Sequence, residues 1–216
     1  DDGTFRIATT RGPVRSREVV MATNGYTPTA APWMRRRVIP FISHLAATEP
    51  LPEDLMRELF PERRLYIDSK INITMIRLTP DGKCAMVAGR TGMSRGDLRR
   101  TAAELHGDMT RILPELSGVR FTHCWEGQMG FTFDRLPHIG EHDGIHYAMG
   151  FCGVGITMGS YLGHKLGKKL LGEPNAETPF DGRAFKTRAL YTGNPWMVPI
   201  MIRWFNFRDR WDQWWG

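Results

Sequence analysis

The strongest chemical signal in this sequence is a run of glycines entering a helix. The stretch Ile145-His146-Tyr147-Ala148-Met149-Gly150-Phe151-Cys152-Gly153-Val154-Gly155-Ile156-Thr157-Met158-Gly159 reads as a strand, a glycine-rich turn and a helix start. Glycine lets backbone approach a ligand closely and takes up positive φ. A helix start exposes unpaired N–H groups and a partial positive charge of about +0.5. Such an end attracts an anion, or an atom that becomes anionic during reaction. The same pattern also builds a plain tight turn with close helix–strand packing. The spacing is GxxGxG, not the GxGxxG of the dinucleotide fingerprint, and no acidic residue follows on a second strand.

The elements that must position this turn are readable from periodicity. Thr4–Thr9 is a short strand signal and Gly12-Pro13 a turn. Arg17–Thr23 reads as a buried strand ending at Asn24-Gly25, and Val38–Thr48 as another strand. Pro52-Glu53-Asp54-Leu55 opens a short helix. Leu65–Ser69, Ile71–Leu78 and Lys83–Ala88 are three strands, the last two joined by Pro80-Asp81-Gly82. Leu98, Ala102, Leu105, Met109 and Ile112 recur at helical spacing, so a helix runs from Asp97 to Leu113 and stops before Pro114. Val119–Phe133 is extended, with breaks at Gly127 and Gly130; Ile145–Met149 is a strand; Gly155–Leu171 is a helix ending near Gly172 and Pro174. Antiparallel strands with separate helices make the class α+β.

Three further blocks surround the glycine turn. Trp125-Glu126-Gly127 precedes Thr132-Phe133-Asp134-Arg135-Leu136-Pro137-His138-Ile139-Gly140; Val19-Val20-Met21-Ala22-Thr23-Asn24-Gly25-Tyr26-Thr27 is followed by Ile39-Pro40 and Thr48-Glu49-Pro50-Leu51. Their order and spacing resemble the C-terminal part of the D-amino-acid-oxidase-like family of FAD-dependent amine oxidoreductases, nearest its gamma-glutamylputrescine-oxidase-like branch, over roughly residues 15–172.

The resemblance implies a mostly antiparallel substrate-domain sheet with flanking helices, plus the C-terminal remnant of a Rossmann-like FAD-binding domain. The expected organisation is residues 1–30 as terminal strands of the FAD domain, 31–130 as substrate domain, 131–175 as the flavin-facing strand–turn–helix, and 176–216 as an extension. Thr23, Asn24 and Gly25 close the last FAD-domain strand. Gly150, Gly153, Val154, Gly155, Ile156 and Thr157 face the cofactor, with backbone donors at 154–157 stabilising negative charge left on the flavin's pyrimidine edge. Family members acting on α-amino acids grip the carboxylate with an arginine where this chain has Met129, so an amine without a nearby carboxylate is expected. Covalent-flavin members carry a cysteine near Gly127, so FAD is expected to be non-covalent. Tyr66 and Trp125 could wall the amine site, and Arg90 could approach flavin or substrate; core packing for the aromatics and a surface salt bridge for Arg90 are the plainer readings. Asp134 belongs to a "D-x-x-P-x-I-G" stretch, or simply makes an Asx-turn.

The implied reaction is C–N oxidation to an imine, with oxygen or another electron acceptor closing the cycle. No side chain stands out as a general base. The phosphate-binding half is absent from these residues, so the piece alone should bind FAD weakly and be inactive. The alternatives are a non-catalytic basic interaction module and an inactive truncated family member.

Composition is compatible with either. The chain has 216 residues, 41% hydrophobic and 24% charged, with a net charge of +6. That excludes wholesale disorder and permits anionic partners without requiring them; nucleic acid is not expected to be one. No apolar run reaches the ~18 residues of a membrane span. Cys84, Cys124 and Cys152 have no regular spacing, which suggests reduced thiols and a cytoplasmic setting. The chain begins with Asp1, and a processed chain or a piece of a longer one is the expectation. His138, His142 and His146 are four apart, but the intervening Gly and Pro argue against a helix and a metal site. Arg35-Arg36-Arg37 and Arg99-Arg100 read as solvated charge. The Trp- and Arg-rich tail from Trp196 to Trp215 packs on the body, lies on a membrane surface or forms a homodimer contact; packing is favoured.

Overall fold

A computed structural model describes residues 3–92 and 97–215; the side chains of residues 90–92, 210 and 212–215 lie outside that description. The chain forms two compact units, one of residues 1–40 with 129–195, the other of residues 41–128 with 196–216.

In the first unit, strands β1 (Phe5–Thr9) and β2 (Gly12–Ser16) form an antiparallel hairpin. The turn lies at Thr10-Arg11, not at Gly12-Pro13. Gly12 pairs with Thr9, and Pro13 is tolerated on an exposed two-stranded ribbon. A three-stranded sheet follows in the order β3 (Val19–Met21), β10 (Ile145–Met149), β9 (His138–His142). β10 runs parallel to β3 and antiparallel to β9. Strand alternation divides β10 between two clusters. Tyr147 and Met149 pack with Met34, Val38 and Phe185, whereas Ala148 packs with Ile139, Leu162 and Leu166. The last two belong to helix α4 (Gly155–Leu171), which ends at Gly172 in the left-handed conformation with Lys168 and Lys169 in its last turn.

β3 is shorter and less buried than the sequence suggests, with Val20 45% exposed. Among the described residues it has a neighbour on one side only. The arginine run is also not simply solvated. Arg37 lies over the Trp33 ring at 3.6 Å and donates to the carbonyls of Phe185 (2.8 Å) and Trp33 (2.7 Å), and Arg35 donates to Gly193 O. Helix α1 (Pro32–Arg35), absent from the sequence reading, sets these side chains against the 185–193 segment.

The second unit carries a five-stranded sheet in the order β5 (Tyr66–Ile67), β6 (Met75–Leu78), β7 (Ala85–Gly92), β4 (Ile39–Thr48), β8 (Phe121–Phe131). β6 and β7 are the expected hairpin, closed by Thr79 N–H to Cys84 O and Gly82 N–H to Thr79 O. β8 passes through Gly127 and Gly130 without a break, because sheet pairing overrides the low strand preference of glycine. Helix α3 (Leu98–Ile112) is capped by Asp97, whose carboxylate accepts from Arg99 N–H, and buries Leu105 and Met109 against Ile76, Val87 and Phe60. Helix α2 (Glu53–Leu59) adds Leu55 and Met56.

Helix α5 (Val198–Trp215) occupies the tail. It is tied down by Asp209, which accepts from the N–H groups of Ile71 (2.8 Å) and Asn72 (3.1 Å), while Ile200, Trp204, Phe207 and Trp211 are exposed. Among the described residues, no helix is long and apolar enough to cross a membrane.

Candidate cofactor-binding site

Parallel pairing of β3 with β10 brings two chain exits together. The register Tyr147↔Met21, continued along both strands, sets Gly150 beside Asn24. Ligand sites of parallel strands lie outside their carboxyl ends, and the 3-10 turn Asn24–Tyr26 and the 150–154 turn both emerge there.

The backbone bonds of this loop can be followed one by one. Gly150 N–H donates to Asn24 Oδ1 at 2.9 Å, and Cys152 N–H donates to Gly130 O at 2.9 Å. Val154 N–H donates to Phe151 O at 3.0 Å. The expected donor at Val154 is therefore taken up in closing its own turn. Gly155, Ile156 and Thr157 are left with N–H groups that find no acceptor among the described residues, since the first i→i−4 bond is Met158 N–H to Val154 O. Val154 caps the helix without a side-chain hydrogen bond, and no acid occupies the first turn. Ile156 is 90% exposed, and a Cβ at Gly153 would meet nothing within 4 Å. The positive end of α4 is thus bare and unobstructed by its own unit. This satisfies the steric and electrostatic needs of an electron-rich ring edge.

Beneath the loop lies a set of polar contacts that sequence reading did not assemble. Thr132 Oγ1 donates to Leu136 O (2.9 Å) or Asp134 Oδ1 (3.0 Å), accepts from Leu136 N–H, and lies 3.5 Å from Cys152 Sγ. Cys152 Sγ donates to Gly150 O. Asp134 accepts from Leu136 N–H in the Asx-turn arrangement and is 3.1 Å from His138 Nε2. His138 is 1% exposed and stacks on Phe185 at 4.2 Å. Burial pushes the Asp134 carboxyl up, but the bonds from His138, Leu136 and Thr132 outweigh it and hold the group below the usual carboxylate range. The "D-x-x-P" spacing is the legible clue in the sequence; that His138, four residues on, meets the carboxylate is visible only in the fold. His138 and His142 lie on β9 and His146 on β10, and among the described residues no group of three His, Cys, Asp or Glu could hold a metal.

Of the candidate substrate residues, Tyr66, Arg90 and Trp125 belong to the second unit and Met129 to the first. Tyr66, on β5, stacks on Phe60 at 5.3 Å and donates to Leu59 O at 2.8 Å, so its ring and hydroxyl serve its own unit's packing. Trp125, on β8, is exposed; Met129, further along the same strand, is half-buried. Arg90 is on β7, and its side chain lies outside the described residues. Of the cofactor candidates, Thr23 Oγ1 is 3.2 Å from Thr27 Oγ1, and Gly25 is buried.

The chain belongs to the FAD dependent oxidoreductase family, whose pattern residues 1–168 match. It is 24% identical over 217 residues to "Probable oxidoreductase OrdL" of Haemophilus influenzae, covering 97% of this chain and 49% of that protein. It is 28% identical over 171 residues to the gamma-glutamylputrescine oxidoreductase of Escherichia coli, covering 77% of this chain and 39% of that protein. Among solved structures, glycine oxidase from Geobacillus kaustophilus has the same fold, with a TM-score of 0.65 at 20% identity over 88% of this chain and 50% of that one. The chain spans about half the length of the curated relatives it matches.

Proposed function

We propose that this chain is the C-terminal portion of an FAD-dependent amine oxidoreductase, and that the amino end of α4 holds the electron-rich edge of non-covalent FAD. The observation carrying this is the unobstructed end of α4, with the N–H groups of Gly155, Ile156 and Thr157 unpartnered and no carboxylate in the first turn. Bound FAD would supply the two-electron acceptor for oxidation of a C–N bond to an imine, which water then hydrolyses to a carbonyl compound and an amine. The chain's own part is to fix the three donors in advance of reaction, so that negative charge is met without reorganisation. Gly153, at φ +94° with open space around it, allows a planar ring to approach the backbone. Met129 in place of a carboxylate-gripping arginine favours an amine that carries no adjacent carboxylate. The likeness to gamma-glutamylputrescine oxidoreductase supports the same substrate class.

The test is to purify the protein with whatever chain it carries natively, record its visible spectrum, and assay peroxide release with γ-glutamylputrescine, sarcosine and glycine. Flavin bands that denaturation releases into solution, with turnover of the γ-glutamyl amine over glycine, are expected. A colourless protein that takes up no added FAD overturns the reading. Turnover of glycine in preference to the amine overturns the substrate class alone.

A further inference from the structure

We propose that Asn24 is a positioning residue that aims the amino end of α4 by clamping Gly150, with the glycine at 130 required to make room for it. The inference deepens the cofactor reading above and rests on it only for the purpose of the clamp, not for its existence.

Asn24 is held in an unusual conformation. Its φ is +46°, in the left-handed region that asparagine tolerates better than most residues. Its carbonyl accepts from Thr27 N–H (3.2 Å) and Thr27 Oγ1 (2.6 Å), which locks the turn. The side chain then reaches across to the other strand's exit, where Oδ1 accepts the Gly150 N–H at 2.9 Å. Gly150 has φ +76°, and a Cβ there would collide with Thr132 Cγ2.

The third member is Gly130. A Cβ at this position would collide with Asn24 Oδ1 and come within 2.9 Å of Val38 Cγ1. Gly130 is also the residue whose carbonyl accepts the Cys152 N–H. The 150–154 turn is thus pinned at Gly150 by Asn24 and at Cys152 by Gly130, and Asn24 and Gly130 pack against each other. From Cys152 the chain reaches Val154, whose N–H closes the last turn, and the three unpartnered donors follow at once. The direction in which those donors point is fixed through this clamp. Asn24 acts on the cofactor side only through Gly150, since its amide oxygen is taken up by the Gly150 N–H.

The experiment uses the protein purified with whatever chain it carries natively, and four variants, with hydrogen exchange followed at the Gly150 and Gly155–Thr157 amides and FAD affinity followed by absorbance. Asn24→Gly deletes the amide while keeping a residue at ease at positive φ. Asn24→Asp keeps an acceptor oxygen. Loss of the hydrogen bond should speed exchange at Gly150 by about tenfold or more in Asn24→Gly, and Asn24→Asp should restore slow exchange. FAD affinity should fall in Asn24→Gly. Unchanged exchange at Gly150 overturns the clamp. Faster exchange with unchanged FAD affinity overturns its aiming role and leaves the cofactor reading intact. A wild-type protein that takes up no FAD fails the cofactor reading, and the clamp is then judged on exchange at Gly150 alone. If Gly130→Ala is poorly folded, the double variant Asn24→Gly/Gly130→Ala decides, because removing the amide relieves the collision with Asn24 and leaves only the contact with Val38. A double variant better folded than Gly130→Ala alone supports the contact, and additive losses overturn it.

Discussion

Gly153 lies in the 150–154 turn, and Asp134 bonds Thr132, whose hydroxyl lies 3.5 Å from Cys152 Sγ of that turn. At φ +94°, a β-branched side chain at 153 strains the backbone by about 1–3 kcal/mol and fills the space above the turn. Gly153→Val should therefore weaken FAD binding well beyond its effect on stability, as read by flavin titration beside thermal melts. Equal binding in variant and parent would count against a ring lying over the turn. Asp134 makes a pH prediction. Its carboxyl is held below the usual range in the folded protein, despite burial, by His138, Leu136 N–H and Thr132. An unfolded aspartate ionises near ~3.9. The folded form therefore gains its full benefit above that value, and the benefit is lost as pH falls through the depressed folded value. Asp68 and Asp181 are also lowered, each against burial, by Thr74 N–H with Lys70 and by Lys169 with Thr178 respectively, so the acid slope is shared. Asp134→Asn should flatten the slope of melting temperature between about pH 5 and pH 3 without abolishing it. An unchanged slope would show that Asp134 is not one of the linked groups.

Elements assemble by local rules except where distant segments meet. The apolar spacing of α3, the Asp97 cap and Pro114 past its end all agree, and the helix forms where these signals place it. α4 likewise starts and stops at its glycines. α5 is different, because the interleaved aromatics and arginines of the tail do not reveal which face is covered. The structure answers through Asp209, which holds the backbone N–H groups of Ile71 and Asn72. Asp209→Ala should leave two donors without their carboxylate and loosen α5 locally. Limited proteolysis should then cut the tail at least several-fold faster, with little change in the α3 core. A tail as resistant as the parent's would mean that packing alone secures it. β9 is absent from the sequence reading because Gly140 interrupts its strand pattern; pairing with Tyr147 of β10 supplies what the glycine's propensity lacks.

At the scale of the whole molecule, family membership and the excess of basic residues point to different partners. The net charge of +6 permits nucleic-acid binding, yet phosphate contacts by lysine and arginine make such binding fall steeply with salt. Capture of one flavin by backbone donors has little such dependence. Raising salt from 50 to 200 mM should change FAD affinity by less than about threefold, against the ~10³-fold or greater loss typical of a protein with many phosphate contacts. A steep loss would favour the basic-module alternative.

Local pattern determined much of this protein before any tertiary contact was considered. Amphipathic spacing set α3, flanking glycines bounded α4, and the Pro80-Asp81-Gly82 turn set the β6–β7 hairpin. The glycines at 150, 153 and 155 marked the turn, because a helix period or a positive φ is encoded within a few neighbouring residues. Tertiary structure alone decided that Asn24 grips Gly150 from 126 residues away, that Gly130 is empty of a side chain to admit that grip, and that Val154 closes its own turn while the next three donors stay open. These depend on which strand exits become neighbours in a parallel pair, and no short-range periodicity carries that information.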